Sequence, residues 1–107
     1  MAQDFERHRA SATGTSAVTL FTSDSDDAVF SLRLANIEAS AITVDVYITS
    51  GGTDYYMAKT LPLPTGSSLE LIDGASRFVM ESGDALKVVS NTASSLDAWV
   101  SVVDAIS

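Results

Sequence analysis

Side chains able to do chemistry are scarce in these 107 residues, and the few present stand far apart. His8 is the single histidine, and it lies among charged and small residues that read as a terminal arm, so nothing holds it as a general base. There is no cysteine, hence no thiol nucleophile and no disulfide framework. No Gly-x-Ser-x-Gly, phosphate loop or dinucleotide fingerprint occurs. The densest acidic run, Asp24-Ser25-Asp26-Asp27, invites a calcium reading. Counted from Asp24, an EF-hand-type loop needs Gly at its sixth place and Glu at its twelfth. Those places hold Val29 and Ala35, so the run reads as a solvated turn. Paired carboxylates of a glycosidase assemble in space rather than in sequence, but a domain this small offers a poor cleft for them. The expectation is a non-enzyme with no cofactor and no metal.

What remains is a set of residues suited to contact rather than catalysis. Phe5, Arg7 and Arg9 lie near the N-terminus, Tyr47, Tyr55 and Tyr56 in the middle, and Trp99 near the end. Tyr and Trp offer large, stiff apolar surface with one polar tip, and Arg forms charge-assisted contacts to carboxylates.

The elements that must position them follow from period and turn chemistry. Strands are expected at residues 17–22, 28–35, 41–49, 53–60, 69–72, 78–80, 86–89 and 96–103, about eight in all. The clearest is 41–49, with Ile42, Val44, Val46 and Ile48 inward and Thr43, Asp45 and Tyr47 outward. In 28–35, Phe30, Leu32 and Leu34 share one face. Gly51-Gly52, Pro64-Thr65-Gly66, Asp73-Gly74, Ser82-Gly83-Asp84 and Asn91-Thr92 punctuate the runs as turns. Leu61-Pro62-Leu63-Pro64 reads as an edge or crossover segment, because proline cannot donate to a central ladder. Adjacent tyrosines in a strand face opposite ways, so one of Tyr55 and Tyr56 is expected in the core. In the last strand Ala98, Val100 and Val102 form the apolar face, which puts Trp99 on the other. The expected core is Leu20, Phe30, Leu32, Leu34, Ile42, Val44, Val46, Ile48, Leu69, Leu71, Leu86, Val88, Val100 and Val102. The fold class is an all-β antiparallel sandwich, jelly-roll or immunoglobulin-like, carrying an extended N-terminal arm.

Two parts are expected: a flexible arm, residues 1–16, and a sandwich domain, residues 17–107. The arm reads as mobile in the free protein, ordering only against a partner, with Phe5 as its anchor. The 46% hydrophobic content argues against disorder of the body. Of the 14 acidic residues only Asp4 and Glu6 precede residue 17, and Arg7 and Arg9 balance them. The whole net charge of −8 therefore belongs to the body, which argues against nucleic-acid binding. Met1 to Ala10 mixes charges and lacks an apolar stretch, so it does not read as a secretory signal, and no run is long enough for a membrane helix.

Laid out this way, the chain resembles the small β-sandwich structural proteins of tailed-bacteriophage virions. The resemblance rests on the polar N-terminal stretch leading into Ala17-Val18-Thr19-Leu20, then SLRLAN at 31–36, ITVDVYIT at 42–49, LPLPTGSSLEL at 61–71, FVMESGDALKV at 78–88 and SLDAWVSVVD at 95–104. It implies a non-enzymatic virion part, made in the host cytoplasm, whose partners are the phage major capsid protein or other virion subunits. The leading expectation is a capsid decoration (cement) protein, homo-oligomeric and favouring a trimer. A neck, tail or fibre-associated protein is the alternative. A carbohydrate- or receptor-binding module is the third, with Tyr47, Tyr55 or Tyr56, and Trp99 as platform candidates.

Overall fold

The structure, a computed structural model, describes residues 4–72 and 78–104. Among them are nine strands and no helix: β1 (Asp4–Thr13), β2 (Val18–Thr22), β3 (Asp27–Asn36), β4 (Ile42–Ser50), β5 (Thr53–Leu63), β6 (Ser68–Ile72), β7 (Phe78–Met80), β8 (Ala85–Ser90) and β9 (Leu96–Asp104). The expected turn at Asp73-Gly74 lies outside the described residues.

Pairing is antiparallel throughout and nested: β1 with β9, β2 with β8, β3 with β6 and β4 with β5. That is a long hairpin ribbon. It rolls up because β9 also pairs with β3 and β8 also pairs with β4. The outcome is one sheet in the order β1-β9-β3-β6, with short β7 also on β3, and a second in the order β2-β8-β4-β5. This is the jelly-roll order rather than the immunoglobulin-like one.

The segment expected as a flexible arm is, over Asp4–Thr13, the strand β1. It pairs with β9 from Asp4↔Asp104 to Thr13↔Leu96, and it supplies the edge of the first sheet. Its inward positions explain why alternation did not reveal it. His8 and Ala10 are only half-buried, and His8 stacks on Phe21 of β2, ring centres 4.7 Å apart and planes 10° from parallel. That stack ties the two sheets together.

The core is where the period of two placed it along β4, β8 and β9: Ile42, Val44, Val46, Leu86, Val88, Val100 and Val102 are buried. Leu20 is buried too, while Ile48, Leu69 and Leu71 pack on the core half-buried. Phe30 departs from expectation because of a bulge. Against β9 the register steps from Val29↔Val102 to Ser31↔Ser101, so Phe30 is the extra residue. Val29 takes its inward place, followed by Leu32 and Leu34, all fully buried. Phe30 turns its ring edge-on to Phe5 at 6.2 Å.

A buried polar knot closes the far end. The Asn36 amide nitrogen lies 3.0 Å from the Leu63 carbonyl oxygen and 3.1 Å from that of Pro64, while Glu38 N–H donates to its Oδ1. It thereby fastens the segment where the chain leaves β5 in one sheet for β6 in the other, as the prolines suggested. Gly51 and Gly52, with φ of 59° and 83°, make the tight β4–β5 turn, a backbone that favours glycine at both places.

Truncating Leu32 to Ala should destabilise the protein by about 2–5 kcal/mol, through lost burial and a residual cavity. Phe30→Ala should cost less, because that ring is only half-buried. Urea unfolding of the two variants checks the order, and a larger loss for Phe30→Ala would contradict the bulge.

Candidate functional site

Three strands, β1, β9 and β3, build the part of the first sheet's outer face around Trp99. β9 runs between β1 and β3, so Trp99 has Arg9 directly opposite on one side and Arg33 on the other. One pair further along, Arg7 and Ser31 both face Ser101. Strand alternation puts Arg7, Arg9, Arg33 and Trp99 on the same face because their neighbours Leu32, Leu34, Ala98 and Val100 point into the core. The Arg7 guanidinium carbon stands 5.3 Å from the indole centre, a cation–π arrangement, and the indole remains 47% exposed. Arg33 reaches Glu70 of β6 at 3.8 Å, and the Ser31 hydroxyl donates to the same carboxylate at 3.1 Å. Both ends of the Arg33–Glu70 pair are well exposed, so it holds geometry more than it adds stability. Arg7, Arg9, Arg33, Asp97 and Trp99 border an open depression of about 600 Å³. Phe5, at 78% exposure, lies on the same strand beyond Arg7.

The tyrosines gather on the other sheet. Tyr47 and Tyr56 are cross-strand partners with ring centres 5.0 Å apart, and the Lys59 ammonium sits 4.5 Å from the Tyr56 ring centre. The expectation that one of Tyr55 and Tyr56 is in the core is corrected: both are exposed, at 58% and 47%. β5 is an edge strand, and near the Gly51-Gly52 turn even the inward positions Ile48 and Ser50 are only half-buried. Among the described residues none buries either ring there. Farther along β5, the register step between Val44↔Leu61 and Val46↔Ala58 sets Lys59 and Thr60 opposite Asp45. The Asp45 carboxylate holds this bulge, accepting the Thr60 N–H at 2.7 Å and standing 3.9 Å from the Lys59 ammonium.

The acidic run is a turn, as expected, up to Asp27, the first residue of β3, but it is not simply solvated. Asp27 is buried, and its carboxylate accepts hydrogen bonds from the Ser23 hydroxyl at 2.7 Å and the Ser25 hydroxyl at 3.1 Å. The β2–β3 turn is locked to the β7–β8 turn by Ser23 N–H to the Asp84 carbonyl and Gly83 N–H to the Ser23 carbonyl, both 2.8 Å. Asp24, Asp26, Glu81 and Asp84 thus share one end of the molecule.

His8 is packed flat on Phe21, with Glu6 3.6 Å away. Among the described residues no three His, Asp or Glu side chains are grouped to hold a metal ion. What the fold gathers is an indole, three guanidiniums and a depression on one sheet, and a tyrosine pair on the other. Of the residues singled out from sequence, the fold unites Phe5, Arg7, Arg9 and Trp99, and separately Tyr47 and Tyr56. Arg33 and Glu70 were missed. Their outward places among buried leucines were readable, but their partnership with Trp99 depends on pairing between distant strands.

No protein-family model and no curated protein matches the sequence. Solved structures do match in fold. A chain of the T13 IBDV viral particle, an icosahedral virus, superposes with a TM-score of 0.57 at 13% identity, covering 95% of this chain and 31% of that one. A chain of the disulfide-linked pili that form Bacillus endospore appendages superposes with a TM-score of 0.54 at 19% identity, covering 99% of this chain and 88% of that one. At these identities the likeness is one of fold.

Tyr47 offers a handle on the second sheet. Burial pushes its pKa above the ordinary tyrosine value of 10.0, and Asp54, Tyr56 and Asp45 add to the rise. A raised pKa means the folded state keeps the proton longer than the unfolded chain. The associated stability is complete below pH 10.0 and is lost as pH rises from there through the folded-state value. Tyr47→Phe should flatten this alkaline part of the stability profile, as followed by urea midpoints at increasing pH. An unchanged alkaline slope in the variant would contradict the assignment.

Proposed function

We propose that this protein is a non-enzymatic structural subunit of a virion, specifically a decoration protein that binds and stabilises an assembled phage head. The observation that carries the reading is the nested strand order. These strands form a jelly roll, and almost all of this chain superposes on a chain of an icosahedral particle. Fold by itself does not imply function, so the surface matters. Its exposed indole and three arginines lie together on an outer sheet face around Trp99. On this reading Phe5, Arg7, Arg9 and Trp99 meet neighbouring subunits, where Trp and Arg are favoured as anchors.

A neck, tail or fibre-associated subunit is the second reading, favoured by the pilus likeness, which spans nearly the whole of both chains. That pilus is disulfide-linked, whereas this sequence has no cysteine, so an assembly on this reading would not use disulfides from these residues.

Electron microscopy of virions with the protein labelled by an antibody tests the reading. Label spread over the head in a regular array is the expected result. Label confined to the neck or tail would move the protein to the second reading, and virions without label would overturn both.

A further inference from the structure

Charge is distributed very unevenly over this fold. The chain has six Lys and Arg residues against 14 acids, yet three arginines surround one indole on the outer face of β1, β9 and β3. Glu70 and Asp97 are the acidic residues set among them, so this face is positive on a molecule of charge −8. The clamped β2–β3 and β7–β8 turns are the opposite case. They present Asp24, Asp26, Glu81 and Asp84 and contain no Lys or Arg.

The two regions do not neutralise each other within one molecule. Along β3, Asp27 beside the acidic turns and Arg33 beside Trp99 are six residues apart, about 20 Å at ~3.3 Å per residue. Screening at physiological salt sets in over about 8 Å. A contact between the tip of one copy and the face of another faces no such separation.

We propose that the outer face around Trp99 is the docking site for the acidic tip of a second copy of this chain. The depression bordered by Arg7, Arg9 and Arg33 receives the paired turns. Trp99, already stacked with Arg7, is the apolar anchor beneath them. The tip is stiffened by its own backbone hydrogen bonds, so little ordering accompanies docking. A polyanion such as an acidic polysaccharide also carries negative charge, but it must approach a body of −8, whereas the tip brings its carboxylates as one compact shape. Because the two surfaces differ, the contact is head-to-tail, and repetition gives a ring or an open chain rather than a two-fold dimer. The inference rests on the reading of this face as a subunit interface. It is independent of the virion, because the test uses purified protein alone.

The experiment is sedimentation of the full chain with two charge reversals at exposed positions, Arg7→Glu with Arg9→Glu on the face and Asp24→Lys with Glu81→Lys on the tip. Circular dichroism first establishes that each is folded. Wild type should associate beyond the 11.2 kDa monomer, with affinity falling at least about tenfold between about 50 and 500 mM salt. Each reversal alone should weaken association at least about tenfold, through like charges brought face to face. Mixing the two reversed proteins should restore it, since Glu faces then meet Lys tips and the remaining wild-type surfaces also match. A wild type that stays monomeric at low salt would overturn the proposal, as would association indifferent to both reversals. Retention of monomeric wild type on heparin, lost on reversing Arg7 and Arg9, would overturn it in favour of a polyanion.

Discussion

The pairing of β1 with β9 is the constraint on which the rest depends. It closes the ribbon: with it, β9 lies between two strands, and the first sheet has a defined edge. The same pairing sets Arg9 opposite Trp99 and brings Arg7 over the indole, so the recognition face exists only when the roll is closed. Little apolar burial holds β1 in place. Its half-buried contacts are His8 against Phe21 and Ala10 against the core. Ladder hydrogen bonds, each worth about 0.5–1.5 kcal/mol net, therefore carry most of the attachment. The strand that completes the candidate interface is thus also one of the least buried.

That balance explains what could be read from sequence. In β4, β8 and β9 the inward residues are β-branched or aliphatic and recur every second place, because both sheets bury them. Phase alone put Trp99 outside. β1 was illegible for the converse reason: residues such as Glu6, His8 and Ala10 carry no apolar alternation, and its strand character comes from β9, distant in sequence. Phe30 and the tyrosines were misplaced by features that a strict period of two does not contain. One is an inserted residue in β3, the other an edge strand on which both rings stay exposed. Asn36 and Asp27 were passed over as turn residues, although both are buried and organise the turns around them.

The two ends of the roll are built differently. At one end Asn36 ties β3 to the β5–β6 crossover, and the Ser90 and Ser95 hydroxyls meet at 2.6 Å in a buried contact. At the other, Ser23, Asp27 and the Gly83 turn make a stiff knot that carries Asp24, Asp26, Glu81 and Asp84. The first end also buries the Thr13 hydroxyl without a partner among the described residues, while the second presents those four acidic residues. The molecule thereby has direction, which a symmetric sandwich would lack and an assembling subunit can use.

The central claim is that β1 is an integral strand of the closed roll in the free protein. Amide hydrogen exchange of the isolated chain, resolved by residue, tests it most directly. Alternate amides along residues 4–13 should be protected, those donating to β9, while their neighbours on the open edge exchange quickly. Protection of β9 should extend to both its sides. Exchange at unfolded-chain rates throughout residues 4–13, with β8 and β9 protected as usual, would contradict the account and restore the free arm.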